Sequence, residues 1–141
     1  MKNLAWNCRG LGKPQTTKAL KHLIRLHSPN ILFLSETTKN NNDTCFNKLA
    51  RIESLTNVFS ISSSSRNETG RAGGLALIWS DNFNLYINDS IKNYIDFYIM
   101  AHNNLIDKND NDNILWRGAA IYGYPKSNKK SLTCNMITNM A

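Results

Sequence analysis

A single acidic residue stands directly after the most apolar stretch of the sequence. Residues 31–34, ILFL, form a continuous apolar run of strand length, and Ser35 and Glu36 follow it. Burying an unpaired carboxylate is strongly unfavourable, so Glu36 is expected at the rim of the sheet. There it could anchor a divalent cation such as Mg²⁺, which prefers oxygen ligands and keeps several waters. The alternative is a solvated loop glutamate that binds nothing.

The elements around Glu36 predict a neighbour for it. Residues 2–7 form a short predicted strand that ends at Asn7, and residues 9–14, RGLGKP, have the glycines and proline of a turn. Residues 16–26 place apolar side chains three and four apart, which predicts an amphipathic helix. Strand, helix and strand indicate an α/β unit, so Asn7 should lie near Glu36 at one sheet edge. An asparagine that merely ends a strand is the alternative.

The rest of the chain is predicted to alternate between strands and helices. A helix is expected over residues 45–55, a strand over 57–61 and a mobile loop over 62–70. Residues 75–79 and 83–87, separated by Ser80-Asp81-Asn82, predict an antiparallel hairpin. Further strands are expected over 94–100 and 114–122, and a helix over 129–140. Tyr122 would end the last strand.

The charge is concentrated near the N-terminus. The formal net charge is +7. Residues 1–35 contain no acid, and their bases are Lys2, Arg9, Lys13, Lys18, Lys21 and Arg25. This distribution favours a polyanion such as nucleic acid as a partner, with a merely solvated basic face as the alternative.

Length and composition restrict the class of protein. The chain has 141 residues, 41% of them hydrophobic, as expected of one globular domain. No apolar run approaches the ~18 residues of a membrane span, and the N-terminus does not follow the signal-peptide pattern. Three cysteines without metal-ligand spacing fit a reducing compartment. A nuclear or cytoplasmic location, without membrane contact or secretion, is therefore expected.

Four ordered segments carry a family resemblance. They are LAWNCRGLG at residues 4–12, PNILFLSET at 29–37, RAGGLALIW at 71–79 and AIYGYP at 120–125. Together they resemble the endonuclease/exonuclease/phosphatase superfamily, in the form found in plant LINE-type (non-LTR) retrotransposon proteins. The resemblance covers residues 1 to about 132. It implies a single α/β domain, built as part of a four-layer sandwich with two facing sheets.

The resemblance also implies an activity and roles for individual residues. It suggests a Mg²⁺-dependent phosphodiesterase acting on DNA, with Glu36 as the metal ligand and Asn7 orienting the ligands and the phosphate. Tyr122 matches a tyrosine whose hydroxyl donates to the phosphate; a core aromatic is the alternative for this residue. Arg9 and Lys13, in the glycine loop, are candidate contacts to the DNA backbone.

Two motifs of the superfamily do not occur in this sequence. They are a Gly-Asp-Phe-Asn segment that supplies an aspartate base or proton carrier, and a Ser-Asp-His segment that supplies the catalytic histidine. The resemblance therefore implies the N-terminal portion of a truncated domain with little nuclease activity of its own. The competing hypothesis is a non-catalytic nucleic-acid-binding or interaction module.

Other residue patterns are not assigned a function. His22 and His27 fall on the basic helix and His102 in a polar stretch, so structural or solvent-facing roles are expected. Residues 107–113 are acidic enough to suggest a calcium loop, but they lack the glycine and glutamate of that motif. Residues 71–74, RAGG, lack the lysine and hydroxyl pattern of a phosphate-binding P-loop.

Overall fold

The computed structural model describes residues 1–38, 55–62, 73–101, 113–123 and 127–140. These contain two α-helices, α1 (Pro14–His27) and α2 (Lys130–Met140), the latter preceded by a 3-10 turn at Ser127–Lys129. The strands are β1 (Asn3–Asn7), β2 (Ile31–Ser35), β3 (Leu55–Ile61), β4 (Leu75–Ser80), β5 (Asn84–Ile91), β6 (Tyr94–Met100) and β7 (Ile114–Ile121).

The first sheet has the strand order β1-β2-β4-β3. β1 and β2 are parallel and in register from Asn3 opposite Ile31 to Asn7 opposite Ser35. β4 runs antiparallel to both β2 and β3. The predicted α/β unit is therefore confirmed, and it places the ends of β1 and β2 side by side at one edge.

The second sheet is an antiparallel arrangement of β5, β6 and β7, with β6 in the centre. Its inner face packs against the first sheet through one apolar cluster, whose fully buried members include Leu75, Leu77 and Ile95. α1 covers the opposite face of the first sheet with Leu20 and Ile24. Residues of α2 line a cavity of about 440 Å³ against the outer face of the second sheet. This α/β fold with two facing sheets confirms the predicted fold class.

β2 and β4 explain why the sequence shows apolar runs instead of alternation. Both strands are buried on both faces, because α1 lies on one side and the second sheet on the other. Along β2, Leu32 and Leu34 belong to the apolar cluster that packs against α1. Ile31 and Phe33 instead pack in the apolar cluster between the two sheets. Continuous apolar runs are typical of strands in this position.

The predicted hairpin of residues 75–79 and 83–87 is wrong. β4 pairs with β2 and β3, and β5 pairs with β6 in the other sheet. Both edges of β4 are occupied, so the turn at residues 81–83 carries the chain from one sheet to the facing one. Leu77 and Leu85 then contribute to the same inter-sheet core instead of extending a single sheet.

The other predicted elements fall into two groups. The helix of residues 16–26 and the final helix are present, and so are the strands predicted at 2–7, 57–61, 94–100 and 114–122, each with small boundary shifts. Leu55, predicted to end a helix, is instead the first residue of β3. The rest of that helix, the loop of residues 63–70 and the stretch 107–112 lie outside the described residues.

Gly118 gives β7 its close approach to β6. It lies opposite Phe97, and the Phe97 and Trp116 rings pack with centroids 5.8 Å apart over its backbone. A Cβ atom at this position would lie 2.5 Å from Phe97 Cζ. Glycine is therefore required here by space.

Within the described part of the chain, neither helix has the length and apolarity needed to span a membrane.

Candidate functional site

The segment after β2 is held on both sides by backbone hydrogen bonds. On one side, the amides of Gly10 and Leu11 donate to the carbonyls of Glu36 (2.8 Å) and Thr37 (3.0 Å). On the other side, the Thr37 and Thr38 amides donate to the carbonyls of Gly74 (3.2 Å) and Gly73 (3.0 Å). Glu36 therefore lies on a fixed backbone and not in a free loop.

Unusual backbone conformations cluster at this edge. Arg9, Glu36 and Thr38 have φ values of 47°, 52° and 53°, in the left-handed region that L-residues other than asparagine and aspartate seldom adopt. Such conformations are unfavourable by about 1 kcal/mol or more and persist where the surroundings impose them. Backbone strain of this kind is concentrated at functional sites, which makes this edge the candidate site.

Tyr122 reaches the same edge from the second sheet. It directly follows β7, and its amide donates to the carbonyl of Asn93 (2.8 Å) in the turn between β5 and β6. The buried Asn93 side chain donates in turn to the carbonyl of Gly123 (2.7 Å). Asn93 thus holds both Tyr122 and the following Gly123 in place.

The Tyr122 hydroxyl donates a hydrogen bond to Glu36 Oε1, which joins the two sheets at their shared edge. Both side chains are half-buried. Burial, together with the hydrogen bond to Glu36 and its negative charge, raises the pKa of Tyr122 to about 12. The hydroxyl consequently stays protonated, and able to donate, throughout the physiological pH range.

This raised pKa predicts how pH acts on a Tyr122→Phe variant. A group whose folded pKa exceeds its ordinary value of 10 stabilises the fold fully below pH 10, and this contribution is lost as pH rises towards 12. The variant is therefore expected to be less stable than the wild type at neutral pH. The difference should shrink in alkali, as measured by urea unfolding at several pH values. A difference independent of pH would contradict the raised pKa of Tyr122.

The other predicted site residues occupy the neighbouring loop. Asn7 is exposed at the end of β1, beside Ser35 of β2, and its Oδ1 accepts the Arg9 amide (3.1 Å). Arg9 and Lys13 are exposed and line an open depression of about 440 Å³ together with Gly10, Gly12 and Thr38. The structure thus brings Glu36 and Tyr122 into contact. Asn7 lies at the end of the neighbouring strand β1, and Arg9 and Lys13 lie in the loop that follows it.

The chemistry of the donor set can be tested against a divalent metal. Within residues 1–38, 55–62, 73–101, 113–123 and 127–140, no three His, Cys, Asp or Glu side chains are grouped as a metal site. Among the described residues Glu36 is the acid at this edge, and Mg²⁺ commonly binds proteins through one or two carboxylates while retaining waters. A single carboxylate beside an amide and a hydroxyl donor therefore fits Mg²⁺ and would suit a tightly caged structural ion poorly.

Comparison with known proteins places this chain in a family. Residues 4–127 match the profile of the Endonuclease/Exonuclease/phosphatase family, which is most of the chain. The chain belongs to this family. No match was found among curated protein sequences.

Solved structures with the fold of this family agree with the assignment. The 3′ phosphatase NExo from Neisseria, bound to a product DNA hairpin, superposes with a TM-score of 0.58 at 14% identity, covering 99% of this chain and 50% of that one. The AP endonuclease LMAP from Leishmania major gives 0.54 at 14% identity, covering 96% and 43%. The chain thus spans about half the length of these solved structures or less.

Asn93 is the contributor to the site that the sequence did not indicate. It lies in the turn between β5 and β6, far in sequence from the four motif segments, and its role arises only when this turn meets the end of β7. Its position just before a predicted strand is the ordinary signal of a turn. Asparagine is abundant in this chain, so residue type did not distinguish it.

Proposed function

We propose that this chain is the N-terminal part of a Mg²⁺-dependent DNA endonuclease domain, of the kind found in plant LINE-type (non-LTR) retrotransposon proteins. The observation that carries the proposal is the contact between Glu36 and Tyr122, which joins the strand ends of two sheets at a strained edge. The four ordered motif segments support the retrotransposon origin. The DNA hairpin bound by the NExo phosphatase supports DNA as the substrate class.

In this proposal Glu36 holds the metal. When bound, Mg²⁺ would polarise a phosphoryl oxygen of the scissile phosphate as a Lewis acid. Glu36 suits this role because the hydrogen bonds of the flanking backbone fix its Cα position from both sides. A preorganised ligand of this kind does not have to be ordered when the ion or the substrate arrives.

Tyr122 and Asn7 would contact the phosphate. The Tyr122 hydroxyl keeps its single proton to high pH and donates it to Glu36 in this structure; a phosphate oxygen at the site would take over this hydrogen bond. Asn7 carries a neutral amide, which can donate to oxygen without adding charge. Arg9 and Lys13 would hold the neighbouring phosphates of the strand by charge, which positions the DNA without reading its sequence.

We further propose that the 141-residue chain alone has little nuclease activity. The Gly-Asp-Phe-Asn and Ser-Asp-His motifs, which in the superfamily supply the proton-carrying aspartate and the histidine, do not occur in it. General acid–base groups typically contribute 10²–10⁴-fold to rate, so their absence would leave binding largely without catalysis. Residues supplied by the rest of the domain would complete the site.

The test uses Mn²⁺ as a paramagnetic substitute for Mg²⁺. Titrating Mn²⁺ into the labelled chain is expected to broaden the NMR signals of residues 7, 36 and 122 first. Glu36→Gln, which keeps the side-chain shape but removes the charge, should abolish this selective broadening. Asp81→Asn is the matched control, because Asp81 is an exposed acid in the β4–β5 turn, at the opposite end of the first sheet from Glu36.

Nicking of supercoiled plasmid completes the experiment. The chain is expected to nick no faster with Mg²⁺ than its Glu36→Gln variant does. Mg²⁺-dependent nicking that disappears in the variant would refute the proposed inactivity and support the metal site. Unselective broadening by Mn²⁺, combined with DNA binding that persists in chelator, would instead favour the non-catalytic binding module.

A further inference from the structure

The outward face of α1 is a continuous stripe of basic side chains. Lys18, Lys21, His22 and Arg25 recur at helical spacing on the side opposite the buried Leu20 and Ile24. We call these four residues the α1 stripe. Lys18, His22 and Arg25 are exposed, and Lys21 is half-buried. From Lys18 to Arg25 the stripe rises about 10 Å along the helix axis.

This charge arrangement opposes the stability of the helix that carries it. The first turn of α1 contains no acid, and the capping position is occupied by Lys13 without a side-chain capping bond. Basic side chains near a helix N-terminus are repelled by the positive end of the helix macrodipole. Lys21 and Arg25, four residues apart, repel each other by a few tenths of a kcal/mol. Only Arg25 and His27, in the last turn, stand where the dipole favours a base.

The stripe is also continuous with the candidate site. α1 begins at Pro14, directly after the loop that carries Arg9 and Lys13 and that is hydrogen-bonded to the Glu36 segment. No acid occurs anywhere in residues 1–35, so the loop and the stripe belong to one basic stretch of the sequence. A polyanion lying at the site edge could therefore extend along α1 without meeting negative charge from this region.

We propose that the α1 stripe binds the phosphate backbone of duplex DNA flanking the site. This inference rests on the proposed function for its choice of DNA, but it requires neither metal nor catalysis. The axial length of the stripe corresponds to roughly three phosphates of one strand, at 3.4 Å of rise each. The contacts would be independent of base sequence, so they would hold the substrate without selecting it. Bound DNA would also relieve the repulsion within the helix.

The experiment measures binding of the full 141-residue chain to a short fluorescent duplex in chelator, over a range of salt concentrations. The variant is the triple substitution Lys18→Ala, Lys21→Ala and Arg25→Ala; alanine is a strong helix former, so α1 is retained. The slope of log K against log salt is expected to fall by about 0.9 per lost phosphate contact, hence by about 2.7.

Matched controls separate the outcomes. Lys129→Ala with Lys130→Ala removes two exposed bases at the start of α2 and should leave the slope nearly unchanged. A wild-type salt slope in the triple variant would overturn the inference but leave the proposed function standing. An absence of DNA binding by the wild-type chain in chelator would overturn the inference alone, and an absence of binding with Mg²⁺ as well would overturn both. Tighter binding to an RNA duplex of the same length would overturn the assignment to DNA.

Discussion

Replacing Gly118 with alanine is expected to lower the free energy of unfolding by about 3 kcal/mol, the upper range for overpacking a filled core. The new Cβ would lie 2.5 Å from Phe97 Cζ and 2.6 Å from Trp116 Cζ3. Both atoms belong to rigid rings, and Phe97 is buried in the inter-sheet core. The buried Phe97 ring has little room to move, so the clash must be relieved by displacing Trp116, which is 41% exposed, or by separating β7 from β6.

Urea unfolding measures this loss, and two further variants identify its cause. Ala119→Ser, on the exposed neighbour in β7, should change stability by no more than about 0.5 kcal/mol. Adding Phe97→Leu to Gly118→Ala should recover part of the loss by making room for the methyl group. If the double variant were less stable by the sum of both single effects, the steric explanation would be wrong.

Arg117→Ala is expected to destabilise the chain by about 2 kcal/mol. Asp96 is only 2% exposed on the outer face of β6, and its carboxylate accepts two hydrogen bonds from Arg117, at 3.1 and 3.0 Å. Removing one partner of a fully buried ion pair is unfavourable by about 3–5 kcal/mol, because the remaining charge is left unpaired. The expected loss is smaller here because the Arg117 side chain is 44% exposed and Asn88 also donates to Asp96 (2.7 Å).

The pH dependence distinguishes this ion pair from a simple packing contact. Burial raises the pKa of Asp96, but the hydrogen bonds from Arg117 and Asn88 outweigh it and hold the pKa below 3.8. The pair therefore stabilises the fold above pH 3.8 and loses this contribution as pH falls through the lowered pKa. The difference between wild type and Arg117→Ala, followed by urea unfolding, should shrink in acid. A constant difference would indicate loss of the contact between the Arg117 guanidinium and the face of the Tyr98 ring.

Local sequence patterns were sufficient to predict which segments around the site form strands and which form a helix. The apolar run of β2 predicted a strand buried on both faces, and the spacing of Leu20 and Ile24 predicted the helix that covers one of them. Parallel neighbours joined by a helix then placed Asn7 and Glu36 at one edge. These inferences succeeded because each depends on residues close together in the chain.

The pairing of β4 and β5 could not be predicted in the same way. A turn between two apolar strands gives the same local pattern whether the strands pair or enter facing sheets. The outcome here is set by β2 and β3, which lie elsewhere in the sequence and pair with the two edges of β4. The role of Asn93 has the same origin, because its partners follow β7. Which strands pair with each other depends on residues far apart in sequence, so it cannot be predicted from a short segment.

The contact between Glu36 and Tyr122 has a consequence for the order of folding. It closes a separation of 86 residues, and the entropy of closing a loop grows by about 0.6 kcal/mol for each doubling of its length. Neighbouring strands such as β5 and β6 can pair early, whereas this contact must wait until both sheets have formed and docked. During synthesis, a nascent chain that has not yet reached β7 carries Glu36 on its strand without its partner. The site is thus assembled only after the two sheets have docked, and its appearance can report that docking.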